Sequence, residues 1–112
     1  MPLKPHPLGS GRSAKFTVRS LPSDAVVYKR TDEFSELTVP TALKKSHSTK
    51  AGVWARICVL EGRLRYQIHC EEPEEHILSP DSSGVVEPEV LHAVEPLGRV
   101  RFFVEFLRRG EA

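Results

Sequence analysis

Between Ala55 and Ile68 apolar and polar positions alternate with the period of two that a β-strand imposes, and the alternation is interrupted once, at Glu61-Gly62. An acidic residue followed by glycine is a pair that tight hairpin turns favour, because glycine accepts a positive φ without a Cβ penalty. With those two residues as the loop, Leu60 faces Arg63, Val59 faces Leu64, Ile57 faces Tyr66 and Ala55 faces Ile68. One register then sorts both strands. Ala55, Ile57, Val59, Leu64, Tyr66 and Ile68 share an apolar face, while Arg56, Cys58, Arg63, Arg65 and Gln67 share the other. The pattern predicts a β-hairpin, with His47 in the polar loop upstream of it.

The same reading extends along the chain. Residues 16–21 alternate as a half-buried strand, Pro22-Ser23-Asp24 makes a turn, and residues 25–30 form a second strand. Pro40 ahead of Thr41-Ala42-Leu43-Lys44-Lys45 marks the one place that suits a helical turn. After the acidic connection 71–75, short extended pieces are expected at 76–79 and 85–88, with Pro88 restricting the latter to an edge or strand end. A three-residue loop at Leu97-Gly98-Arg99 would join strands 92–95 and 100–107. That second hairpin puts His92, Val94, Phe102, Val104 and Phe106 on one face and Glu95, Arg101 and Glu105 on the other. Short strands with Gly/Pro turns and at most one short helical turn predict an all-β fold, an antiparallel sandwich or barrel.

Composition narrows the class. The 112 residues suit one domain, expected over 16–112 behind a flexible N-terminal tail over 1–15 rich in proline, glycine and serine. A net charge of +1 offers no electrostatic mandate for nucleic acid or an anionic membrane, and no apolar run has the length of a bilayer span. A cytoplasmic location is expected. Cys58 and Cys70 fall on opposite faces of the hairpin, so reduced thiols are expected rather than a disulfide. No nucleophile elbow or glycine-rich phosphate loop is present, which argues against a triad hydrolase or a nucleotide-binding enzyme.

His47 and His92 are the informative candidates. Each lies at or before the start of a strand, and antiparallel barrels gather strand starts at one mouth, where ligands bind. Two neutral imidazoles converging there can hold a borderline metal. The competing reading makes His47 a loop residue and His92 a hydrogen-bonded core residue. His76 is a weaker third candidate. Tyr66 could orient a small ligand through its hydroxyl, Glu87 could support the second histidine, and Arg56 or Lys50 could help hold an anion.

The motifs also carry a family resemblance. Val59-Leu60-Glu61-Gly62-Arg63-Leu64 is similar to the first motif of the cupin superfamily, and the run from Val86 to Val94 to its second. More specifically, Tyr28-Lys29-Arg30 through Leu43-Lys44-Lys45-Ser46-His47 to Trp54, with Glu75-His76-Ile77, resembles the small cupin domain associated with tellurite resistance. The resemblance spans nearly all of residues 27–106. It implies a double-stranded β-helix, a cupin-like jelly roll, with His47 and His92 as metal ligands and His76 as a third. It also implies a stand-alone domain, without the methyltransferase that follows it in some bacteria. Three positions depart from the pattern: Ala55 stands where the motif glutamate would be, Lys50 or Ala51 where a second histidine would be, and Glu89 where the second motif has glycine. Zinc or nickel is therefore expected ahead of iron or manganese.

The functional expectation is a metal-capable small cupin that binds a small molecule or an oxyanion, in tellurite, oxyanion or stress resistance. Two alternatives remain open. One is a metal-dependent enzyme, such as a small dioxygenase or isomerase. The other is a non-catalytic dimerising module, a homodimer formed through an outward stripe of Trp54, Cys58 and Leu60.

Overall fold

In the computed structural model, which describes residues 16–110, the chain runs through β1 (Phe16–Val18), β2 (Ala25–Arg30), β3 (Phe34–Ser35), α1 (Thr41–Lys44), β4 (Trp54–Ile68), β5 (Glu74–Leu78), β6 (Ser82–Val86) and β7 (His92–Arg109). The tail expected over 1–15 lies outside the described residues. Pro40 caps α1 in extended conformation, where its missing N–H is of no consequence. The all-β expectation holds, with one correction: β1 pairs with β6 in parallel, so the sheet is mixed.

Neither predicted hairpin forms. Residues 54–68 are one strand and residues 92–109 another, and the two pair antiparallel from Trp54 opposite Leu107 to Ile68 opposite His92. The residues read as turns are where these long strands bend together. The register slips between Val59 and Glu61, and again between Gly62 and Leu64, where Leu97-Gly98-Arg99 bulge out of β7. Gly62 and Gly98 do adopt positive φ, 83° and 84°. This is the conformation that a tight turn asks of glycine, but here it bends a ladder instead of reversing a chain.

The predicted faces survive because the bulge at Leu60 adds one residue and inverts the phase of alternation. Ala55, Ile57 and Val59 before it, and Leu64, Tyr66 and Ile68 after it, all enter one core together with Val94, Val100, Phe102 and Val104. Residues from both sides of the bend thus meet face to face, and the sheet closes on itself. On either side of β4 and β7 the sheet is widened by β6 and β2, β3 continues the β2 edge along β7, and beyond the bend β5 pairs with β4. This is the double-stranded β-helix. Glu36, in the loop after β3, accepts the Val100 N–H at 3.0 Å and fastens that loop to the bend.

The other face is less polar than its sequence pattern predicts. Cys58 is 1% exposed and Glu105 is buried, and Arg30 stacks its guanidinium on the Phe103 ring at 3.9 Å. The outward stripe of Trp54, Cys58 and Leu60 is therefore not a free surface: Cys58 is buried and its two neighbours are half-buried. Cys58 and Cys70 form no disulfide. No helix among the described residues is long and apolar enough to cross a membrane.

Candidate functional site

His47 and His92 come from segments far apart in sequence and face each other as an antiparallel pair. The His47 N–H donates to the His92 carbonyl at 2.9 Å, and the His92 N–H donates to the His47 carbonyl at 2.8 Å. Residues opposed in this way carry their side chains on the same side of the ladder. Their ring centroids are 4.1 Å apart.

The two rings, tilted 53° to each other, are anchored alike. His47 Nδ1 lies 2.9 Å from the Lys45 carbonyl oxygen, and His92 Nδ1 lies 3.0 Å from that of Val90, in each case two residues back. A carbonyl oxygen only accepts, so Nδ1 carries the proton in both rings. In the neutral imidazoles Nε2 is then a lone pair. Neither Nε2 has a hydrogen-bond partner among the described residues. Nδ1 bound to a backbone carbonyl is also the support that metal-ligating histidines commonly use.

His92 is 4% exposed, and burial pushes its pKa down to about 4, with the nearby His47 and His69 acting in the same direction. At neutral pH it holds no charge, so its lone pair is available. The pair opens on a cavity of about 610 Å³ between β2, α1, β4 and β7. Phe34, Leu43, Ile57, Phe102, Val104 and Phe106 contribute apolar wall, and the exposed Lys29 and Lys50 also line it.

The other candidates are placed elsewhere. His76, on β5, donates from Nε2 to Glu74 Oε1 at 2.9 Å and does not line the cavity. Glu87 is bound to Arg19 NH1 at 2.7 Å, and the same guanidinium reaches Glu74 Oε2 at 2.6 Å. Arg19 reaches both carboxylates from a left-handed backbone conformation, φ 71°. Glu87 thus serves a clamp between the β1–β2 connection and β5 rather than the histidine pair. Arg56 faces the opposite side of β4, in a 2.7 Å ion pair with Glu105. Tyr66 is buried, and its hydroxyl donates to the Val85 carbonyl at 2.9 Å. Its ring centroid stands 6.1 Å from that of His92 in an edge-on arrangement, and Tyr66 lies outside the cavity lining. Lys50 does line the cavity.

Among the described residues no cluster of three or more His, Cys, Asp or Glu side chains is close enough together to hold a metal ion. The pair fits such an ion as two neutral nitrogen ligands, with further positions left to exogenous groups. Ala55, at the position of the motif glutamate, lines the same cavity and adds no donor. Glu89 has φ 64°, the conformation that the motif glycine would supply freely. Sequence reasoning missed the apolar wall contributed by Phe34 and Leu43, which lie on a two-residue strand and a four-residue helix. Elements that short leave no periodicity to read.

Comparison with known proteins agrees with this fold. Residues 29–104 match the family model of the TehB-like domain. A protein of Haemophilus influenzae (strain ATCC 51907 / DSM 11121 / KW20 / Rd), named as a probable S-adenosyl-L-methionine-dependent methyltransferase TehB, is 32% identical over 79 residues, which cover 67% of this chain. The chain spans 28% of the length of that relative. The crystal structure of TehB from Haemophilus influenzae superposes with a TM-score of 0.71 at 27% identity, over 78% of this chain and 32% of that one. A protein from E. coli (strain K12), 22% identical, has a TM-score of 0.74 over 84% of this chain and all of its own, a likeness in fold alone. Hydroxypropylphosphonic acid epoxidase from S. wedmorenis, in complex with fosfomycin, has a TM-score of 0.50 at 27% identity, over 65% of this chain and 40% of that one.

Proposed function

Because the chain belongs to the TehB-like domain family, associated with tellurite resistance, we propose that it is a metal-capable binding domain. Nε2 of His47 and of His92 would hold a divalent ion, zinc or nickel ahead of iron or manganese, and a small molecule or oxyanion would complete the coordination. The observation that carries this reading is the matched anchoring of the two rings. Each is fixed through Nδ1 by a backbone carbonyl, which leaves two adjacent lone pairs beside one cavity. Bound there, such an ion would act as a Lewis acid. The protein's own share is to orient the imidazoles, keep His92 neutral and surround the site with apolar side chains.

The test is metal uptake by the full chain. Zinc or nickel titrated calorimetrically into chelator-treated protein is expected to bind at one site per chain. His47→Ala and His92→Ala should each abolish it, whereas His76→Ala should leave it intact, because that Nε2 is already engaged with Glu74. A wild-type protein that takes up neither ion would end the proposal. The same cavity supports a second reading, in which the lone pairs accept hydrogen bonds from a ligand directly. It is favoured by the lack of a third metal-binding side chain beside the pair among the described residues.

A further inference from the structure

The chemistry of the cavity is layered. Ala55, Ile57, Val86, Val94, Phe102 and Val104 are buried and form its inner wall, and among the described residues His92 is the one buried polar side chain that lines it. Lys29, Ser48 and Lys50, which could neutralise or hydrogen-bond an anion, are exposed at the outer edge. An inorganic oxyanion drawn inside would exchange its hydration for carbon and for two lone pairs that repel it, a penalty of at least several kcal/mol. At the edge it would keep its water and have no use for the chamber.

A compact apolar body gains by entering instead, and a volume of about 610 Å³ holds one ring-sized molecule with room to spare. Whatever polar head it carries meets two imidazole acceptors whose own N–H groups are spent on Lys45 and Val90. That head must bring its own proton, as a hydroxyl does, or share a cation with the histidines.

We infer that the ligand is a compact, ring-sized apolar molecule bearing a phenol-type hydroxyl, which points at the His47–His92 pair, and not a free inorganic oxyanion. This deepens the proposed function and rests on the same cavity being the binding site, but it does not require the metal.

The test titrates the full chain, chelator-treated and zinc-loaded, with phenol, 4-methylphenol, 4-propylphenol, 4-methylanisole and tellurite, read by calorimetry. Affinity should rise about fourfold for each added methylene. The methyl ether, which cannot donate, should bind about tenfold more weakly than 4-methylphenol. Millimolar tellurite should not displace 4-propylphenol. In His47→Ala, at a half-buried position that folding can spare, the preference for the hydroxyl should shrink while the gain per methylene persists. Phenols that bind without zinc uptake would leave this inference standing and remove the metal reading. Zinc uptake without phenol binding would do the opposite. Tellurite that displaces the phenols, or an ether that binds as well as its phenol, would overturn it.

Discussion

Gly62 is pressed against Arg99 across the bend of the two long strands. A Cβ at position 62 would overlap the Arg99 carbonyl oxygen and lie 2.9 Å from Val100 Cα, both of them backbone atoms that cannot swing aside. The contact explains how a sheet built on two long strands folds over within a few residues. It also separates two roles of glycine. Gly52 shares the positive φ, 77°, but a Cβ there meets nothing within 4 Å.

Gly62→Ala should therefore lose stability twice, through the left-handed backbone and through the steric overlap, by about 3 kcal/mol or more. Gly52→Ala should lose only the backbone share, about 1 kcal/mol. Urea denaturation of the two variants checks the difference. Equal midpoints would show that the bend relaxes around a side chain.

His92 makes stability depend on pH. Its folded pKa of about 4 lies below the ordinary value of 6.5, so between these limits the unfolded chain binds the extra proton. Stability is then highest above pH 6.5 and falls as the pH drops toward 4, by up to about 3 kcal/mol. Glu74, whose carboxyl is held below its usual range first by His76 and then by Arg19, adds a loss in the same direction at lower pH. Denaturation midpoints of wild type and His92→Gln should converge as the pH falls from 7 to 4.5. An NMR titration that places the His92 midpoint near 6.5 would remove the effect.

Ala55→Glu restores a carboxylate to the wall that the histidines share. Zinc affinity should rise about tenfold or more, since an oxygen ligand then joins two nitrogens. In metal-free protein the same carboxylate is buried without a partner, so the variant should be less stable by about 2–4 kcal/mol. Zinc should recover that loss. Destabilisation that metal does not relieve would mean the new side chain cannot reach the pair.

Tyr66→Phe should cost about 1–2 kcal/mol, since it leaves the buried Val85 carbonyl without its donor. Ligand and metal affinities should hold within about twofold, because Tyr66 stands outside the cavity lining. A large fall in affinity at unchanged stability would return Tyr66 to the binding site.

The sequence alone determined which side chains lie inside. Alternation along a strand is local, so Ala55, Ile57 and Val59 share one face, and Leu64, Tyr66 and Ile68 join it because a two-residue turn and a one-residue bulge shift the phase alike. It also marked Gly62 and Gly98 as turn positions, and a turn and a bulged bend ask the same of φ. Whether Glu61-Gly62 reverses the chain or bends it was decided by the tertiary structure, because only the pairing of β4 with the distant β7 gives those residues another partner. The same holds for the site. Two histidines were visible in the sequence, but their 4.1 Å approach exists because backbone hydrogen bonds close His47 onto His92. Arg56 and Glu87 were drawn to Glu105 and Arg19 by charges 49 and 68 residues away, and sequence order carries no record of such distances, whereas His76 is held by Glu74, two residues back on its own strand.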